Sequence, residues 1–212
     1  MFSTTPESGA MRATRSTNEH RHAGSRREAL RLATQDLHRA LDASVAGYEL
    51  RRMDHYSTFL SASAAPLIAL EQMLENAGVR DLLPEWPARR RTEVITNDLM
   101  SLGVPVTVLQ LRRALPTRSE IYGILYVLEG SRVGARLLYA RIQSSTDPQV
   151  RGASAYLSAH DPALWRSFLK VLEATPEVTE LQDLVAGALF AFALFQRSFD
   201  RLMPADARVT AS

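Results

Sequence analysis

Tyr122-Gly-Ile-Leu-Tyr-Val-Leu-Glu-Gly130-Ser-Arg-Val-Gly134-Ala135 is the stretch on which the fold turns. Its apolar residues recur at helical spacing, and Thr117-Arg-Ser-Glu120 just upstream has the form of a capping box, so a long helix is expected from there to about residue 144. Each glycine inside a helix costs about 1 kcal/mol relative to alanine. Gly123, Gly130 and Gly134 nevertheless share one face with Val127, and Ser131 and Ala135 stand beside it. Something must approach that backbone closely. A neighbouring helix packed on small residues is one candidate, and a flat ligand pressed against the helix is the other. Charged Glu129, Arg132 and Arg136 exclude a lipid-facing dimer motif.

Outward from this stretch the same 3.6-residue period dominates. Ser25-Arg-Arg-Glu28 reads as a second capping box opening a helix that Gly47 closes. Another helix runs from about Asp54 to a stop at Gly78, with Pro66 inside it, where a kink or a division into two pieces is expected. A third spans about Pro87 to Leu102, ended by Gly103 with Pro105 beyond. Asp161-Pro162 supplies an N-cap and a proline at the first position of the next helix, which carries Trp165, Phe168, Leu169 and Leu172 on one face. Thr175-Pro176 opens the last helix, which ends near Met203. No segment alternates with period two, and no internal repeat is present. The expectation is an all-α chain with one domain of six or seven helices over 25–203. A disordered tail over 1–24 holds His20 and His22, and a short C-terminal tail covers 204–212.

Composition narrows the chemistry. A chain of 212 residues suffices for one well-buried domain. It has no cysteine, which excludes disulfides, thiolate metal sites, iron–sulfur clusters and a cysteine nucleophile. The formal charge is only +2, from 25 basic and 23 acidic residues, and Lys170 is the sole lysine. The one basic run, Arg89-Arg90-Arg91, is expected to face solvent or to help dock an acidic protein, and nothing resembles a nucleic-acid face. No apolar run approaches the roughly 20 residues of a membrane span, and no secretory leader is evident, so a cytoplasmic protein is expected.

Leu30-Arg-Leu-Ala-Thr-Gln-Asp-Leu-His38-Arg-Ala-Leu-Asp42 holds the best candidate ligand. Arg31, Thr34, Leu41, Asp42 and Val45 lie on the side of the helix occupied by His38. A metal-bound imidazole usually gives its second ring nitrogen to a carboxylate, carbonyl or water, and Asp42 is one turn away. Arg31 is two turns back, about 10 Å, within reach of an anionic group on a ligand held by His38. The alternative is a semi-buried histidine among surface charges. His55 reads as a surface or capping residue, and His160 as part of a loop. Glu71, Glu75, Glu93 and Asp98 lie on helices, without the Glu-x-x-His pairing of a di-iron bundle.

Taken together, Leu-Arg-x-Ala-Thr-x-x-x-His38-x-x-Leu-Asp and Leu-Tyr-Val-Leu-Glu-Gly130-Ser-x-x-Gly134 resemble the proximal and distal helices of the heme oxygenase family, in its bacterial branch found with bacteriophytochromes. Tyr56-x-x-Phe59-Leu60, Trp165-x-x-Phe168 and the aromatic last helix, with Phe190, Phe192, Phe195 and Phe199, fit the same pattern over residues 27–203. The resemblance implies a single-domain heme-oxygenase-like multi-helix bundle that cleaves heme with O2 and electrons to biliverdin, CO and iron. Heme would be both substrate and cofactor. His38 would be the proximal iron ligand, Arg31 a propionate contact, and Thr34, Asp42, Tyr126 and Phe192 further contacts to heme. Gly130, Ser131, Gly134 and Ala135 would form the catalytic distal wall. The family often has a second glycine where this chain has Ala135, whose methyl is expected to narrow the pocket or change heme seating. Ser131 stands where animal members carry an aspartate. Implied partners are an electron donor (ferredoxin or reductase) and a bacteriophytochrome receiving biliverdin. The alternatives are a heme-binding or heme-sensing protein of the same fold with impaired turnover, and a helical interaction domain whose glycines only pack helices.

Overall fold

The computed structural model describes residues 25–175 and 180–204. They form ten helices and, among the described residues, no strand. Six are long: α1 (Arg26–Ala46), α2 (Met53–Asn76), α5 (Thr92–Ser101), α6 (Arg118–Gln143), α9 (Pro162–Ala174) and α10 (Leu181–Leu202). Four are single turns: α3 (Val79–Leu82), α4 (Trp86–Arg89), α7 (Pro148–Gly152) and α8 (Ala155–Ser158). The expected tails, apart from Pro204, lie outside the described residues.

Local chemistry sets most boundaries. Thr117 and Glu120 make the full capping box of α6: Glu120 N–H donates to the Thr117 hydroxyl (3.2 Å) and Thr117 N–H to the Glu120 carboxylate (2.8 Å). At α1 the Ser25 hydroxyl accepts from Glu28 N–H, but the Glu28 carboxylate turns to Arg31 instead of reaching back. Asp161 caps α9, accepting from Ala163 N–H (2.7 Å). Gly78 and Gly103 follow α2 and α5 with φ of 78° and 69°, the left-handed geometry that ends a helix.

Three expectations need correction. Helix α2 runs through Pro66 as one helix, so the division into two pieces does not occur. Its packing along α10 and α5 outweighs the lost hydrogen bond. The segment Pro87–Leu102 is not one helix, because it breaks at Arg90-Arg91 between α4 and α5. The buried Glu71 of α2 causes that break: its carboxylate accepts from Arg91 N–H (2.8 Å), Thr92 N–H (3.0 Å) and the Thr92 hydroxyl (2.6 Å), capping α5 from another helix. The last helix starts at Leu181 after Glu180 rather than at Thr175-Pro176, and 176–179 lie outside the described residues.

The core is built where α10 lies along α6, α1 and α2. Leu30, Tyr56, Leu60, Leu70, Ile124, Leu125, Phe168, Leu184 and Ala188 are all buried there. The crossing of α6 on α10 is closer than side chains allow. A Cβ on Gly123 would lie 2.0 Å from the Leu184 carbonyl oxygen, and one on Gly187 would lie 2.2 Å from the Glu120 carbonyl oxygen. Gly123 therefore packs helix on helix, with a reciprocal partner in Gly187.

The arginine run is the largest departure from expectation. Arg89 and Arg91 are buried and only Arg90 is partly exposed, pairing with Glu75 at 3.2 Å. Arg89 donates to Glu129 (2.8 Å), Glu85 (3.0 Å), the Ser167 hydroxyl (2.7 Å) and the Leu164 carbonyl (3.0 Å). Arg132 shares Glu129 (3.2 Å), donates to the Ala159 carbonyl (2.9 Å) and also reaches the Arg89 carbonyl. Burial pulls the Arg132 guanidinium below its ordinary range, while Glu129 opposes that shift. Removing one member of such a knot strands the others in a dry interior. Arg89→Met is expected to lower unfolding free energy by about 3–5 kcal/mol. Arg90→Met, at the surface, should lower it by less than about 1 kcal/mol. Urea midpoints for the two variants check the contrast, and equal midpoints would refute it.

Candidate functional site

Helix α10 packs on both α1 and α6, yet α1 and α6 scarcely touch each other. The two run side by side across a cleft, in a register fixed at both ends. At one end the Tyr126 hydroxyl of α6 lies in the field of Arg27, Arg31 and Glu28 of α1. At the other, Ala46 and Gly47 at the end of α1 share a recess of about 350 Å³ with Arg141 and Ser144 at the end of α6. His38 is seven residues beyond Arg31 and Gly134 eight beyond Tyr126, about 10–12 Å along each helix. Counted from those points, His38 and Gly134 fall at about the same level of their helices.

The His38 side chain is 62% exposed. Its Nδ1 lies 2.9 Å from the Asp42 carboxylate, which fixes one ring nitrogen and turns Nε2 outward. Among the described residues no protein group engages Nε2. The edge of the imidazole meets the Phe192 ring of α10, with centroids 5.9 Å apart and planes at 62°. Phe192 is buried and closes the floor of the cleft behind the histidine.

Across the cleft the glycines differ. A Cβ on Gly134 would meet nothing within 4 Å. One on Gly130 would touch the Cη2 and Cζ3 atoms of Trp165, each at 3.7 Å. Val133 and Leu137, on the same side of α6, are 59% and 62% exposed, so the open face is apolar. Ala135 is buried with the core instead. Successive residues turn by about 100°, which carries its methyl off the face shared by Gly130 and Gly134. Ala135 thus stands on the core side of α6.

The remaining candidates each have a defined place. Ser131 donates its hydroxyl to the Leu128 carbonyl (2.7 Å) and accepts from Arg91 (3.0 Å), which also donates to that carbonyl (2.8 Å). Thr34 is buried, its hydroxyl turned back to the Leu30 carbonyl (2.7 Å). Arg31 is clasped by Glu28 at 2.7 and 3.0 Å and holds that carboxyl below the usual range. Burial pushes the Tyr126 hydroxyl up, against the pull of Arg27 and Arg31. His55 is buried rather than on the surface, accepting at Nδ1 from Glu49 N–H (3.0 Å). His160 Nδ1 lies 3.0 Å from the Leu157 carbonyl, in a loop as expected. Asp98 takes Ala155 N–H (3.1 Å) and Tyr156 N–H (2.8 Å), and so caps α8. Two residues named in the sequence were not assigned there to the site. Arg91 fastens the turn around Gly130, and Trp165 covers that glycine.

Among the described residues no group of three or more His, Asp or Glu side chains could hold a bare metal ion. A single outward histidine facing a stripped backbone suits a metal that brings its own planar ligand set.

No family model matches the chain. In structure it is similar to the NO- and CO-bound heme oxygenase from Neisseria meningitidis, with a TM-score of 0.69 and 23% identity over 85% of this chain and 93% of that one. The fold is thus the all-α heme oxygenase fold. In sequence it is 35% identical to a heme oxygenase of Xanthomonas campestris pv. campestris over 147 residues, 67% of this chain and 87% of that protein. It is 28% identical to the heme oxygenase PigA of Pseudomonas aeruginosa over 182 residues, 83% of this chain and 92% of that protein. The chain belongs to the heme oxygenase family, a family of heme-degrading oxidoreductases. No helix among the described residues is long and apolar enough to cross a membrane.

Proposed function

We propose that this chain seats heme in the α1–α6 cleft, with His38 Nε2 as the axial iron ligand, and opens the ring with O2 and external electrons to biliverdin, CO and iron. Two observations support the reading: His38 is exposed on α1 with Nδ1 held by Asp42, and the Cβ position of Gly134 on α6 is vacant.

Bound heme supplies the iron at which O2 is held and the meso carbon that is oxidised. The protein does the rest. Asp42, on Nδ1, keeps the imidazole oriented and its outer nitrogen free for iron. A neutral imidazole, unlike a thiolate, gives no push toward O–O cleavage. Gly134 and Gly130 let the ring lie against the distal backbone, and Val133 and Leu137 offer it apolar surface. Ser131 spends its proton on the Leu128 carbonyl, so this wall offers no strong acid to break an O–O bond early. Arg31 and the Tyr126 hydroxyl stand together at one end of the cleft, where a propionate would find a cation and a donor. Thr34 supports this wall from within α1, and Ala135 backs the distal helix from the core side. The reading includes a ferredoxin or reductase as electron donor, a cytoplasmic location and a bacteriophytochrome as recipient of the biliverdin.

Purified protein titrated with hemin is expected to develop a stoichiometric Soret band. Reductant in air, with catalase present, should then convert it to biliverdin absorption. A Soret band that persists unchanged under reductant identifies a heme binder without turnover and overturns the enzymatic reading.

A further inference from the structure

A flat ring held by one axial bond can turn about that bond, and only contacts at its rim fix the angle. The two ends of this cleft supply very different rim contacts. At the Gly130 end the indole edge of Trp165 lies in van der Waals contact with the Cβ position of that glycine, at 3.7 Å. The indole is braced on both sides. The Tyr126 ring lies 5.5 Å away, centroid to centroid, and Phe168 stacks at 6.0 Å with an interplanar angle of 27°. Phe168 itself is fully buried. Helix α9, which carries Trp165, is fastened to the start of α1 by Arg26, which donates to the Leu172 (2.7 Å) and Thr175 (2.6 Å) carbonyls. This end is therefore rigid and aromatic. The recess at the other end, lined by Gly47, Tyr48, Arg51, Arg141 and Ser144, is open, and its one aromatic side chain, Tyr48, is buried against Phe59 and Phe199.

We propose that Trp165 is the end wall of the cleft and a positioning residue: its indole edge fixes how heme is turned about the His38–iron axis, and thereby which meso carbon is oxidised. The proposal rests on the heme reading above. Both glycines leave backbone bare for the ring, and at Gly130 the Trp165 indole stands at the margin of that surface.

The test uses the full chain, with Trp165→Phe and Trp165→Leu beside the unsubstituted protein, all verified as folded by circular dichroism. Two readouts follow: proton NMR of the heme methyl groups in the ferric, cyanide-bound form, which needs no turnover, and chromatography of the product isomers. The unsubstituted protein is expected to show one dominant set of methyl resonances and one dominant isomer. Trp165→Leu should keep the Soret band but add a second set of resonances. A second isomer should rise to about a tenth of the product or more, the ratio left when about 1.4 kcal/mol separates the two seatings. Trp165→Phe, which keeps an aromatic edge, should fall between. One unchanged resonance set and one unchanged isomer in both variants would overturn the proposal. A folded variant that loses the Soret band would also overturn it, since an orienting wall alters rotation and not ligation. Failure of the unsubstituted protein to bind hemin overturns the heme reading itself.

Discussion

His38→Ala is expected to abolish the stoichiometric Soret band and, with it, all conversion of heme. The cleft offers iron no second partner: among the described residues no cluster of metal-ligating side chains exists, and the floor beneath the imidazole is Phe192. The fold should survive, because the side chain is 62% exposed and contributes little to the core. Asp42→Ala should give a graded result, with heme affinity or turnover falling by about 10–100-fold as the imidazole loses its orienting partner. Hemin titrations of both variants, with circular dichroism as the fold control, check the pair. A Soret band of unchanged position and stoichiometry in His38→Ala would remove this histidine from the site.

The same substitution at two glycines of α6 should have opposite consequences. Gly123→Ala puts a methyl 2.0 Å from the Leu184 carbonyl oxygen and 2.7 Å from Ala188 N, both backbone atoms that no rotamer change can move aside. Helices α6 and α10 must separate, and a loss of about 3 kcal/mol or more is expected, at the upper end of overpacking costs. Gly134→Ala meets nothing within 4 Å. It removes a helix-interior glycine, so stability should hold or rise by up to about 1 kcal/mol. The new methyl, however, occupies the face on which heme is proposed to lie, and heme affinity should fall. Thermal melts and hemin titrations of both variants separate the two effects. A Gly134→Ala protein with undiminished heme affinity would count against that placement.

Sequence patterns revealed most of the helices because their ends are encoded within a few residues. The Thr117–Glu120 box, the Asp161-Pro162 pair and the glycines at 78 and 103 each act on their own turn. His38, Asp42 and the glycine face were equally legible, since each follows from spacing on one helix. What stayed hidden depends on partners far along the chain. Arg89 and Arg91 look like solvated charges until folding brings Glu129, 40 residues away, to the first, and the Leu128 carbonyl and Ser131 hydroxyl, 37 and 40 residues away, to the second. Gly123 and Gly134 look alike in the sequence, and only the approach of Leu184 and Ala188 gives the first a packing role. No periodicity announces that Trp165 will stand over Gly130.

The interlocked pair Gly123 and Gly187 makes a fulcrum. Backbone meets backbone there, so the two helices cannot slide or part without losing the contact. Gly134 lies eleven residues further along α6, about 16 Å from that point, where nothing lies against it. Any movement of α6 against α10 is therefore resisted most at Gly123, while the backbone at Gly134 has no neighbour to lose. The same helix thus presents locked backbone at Gly123 and bare backbone at Gly134.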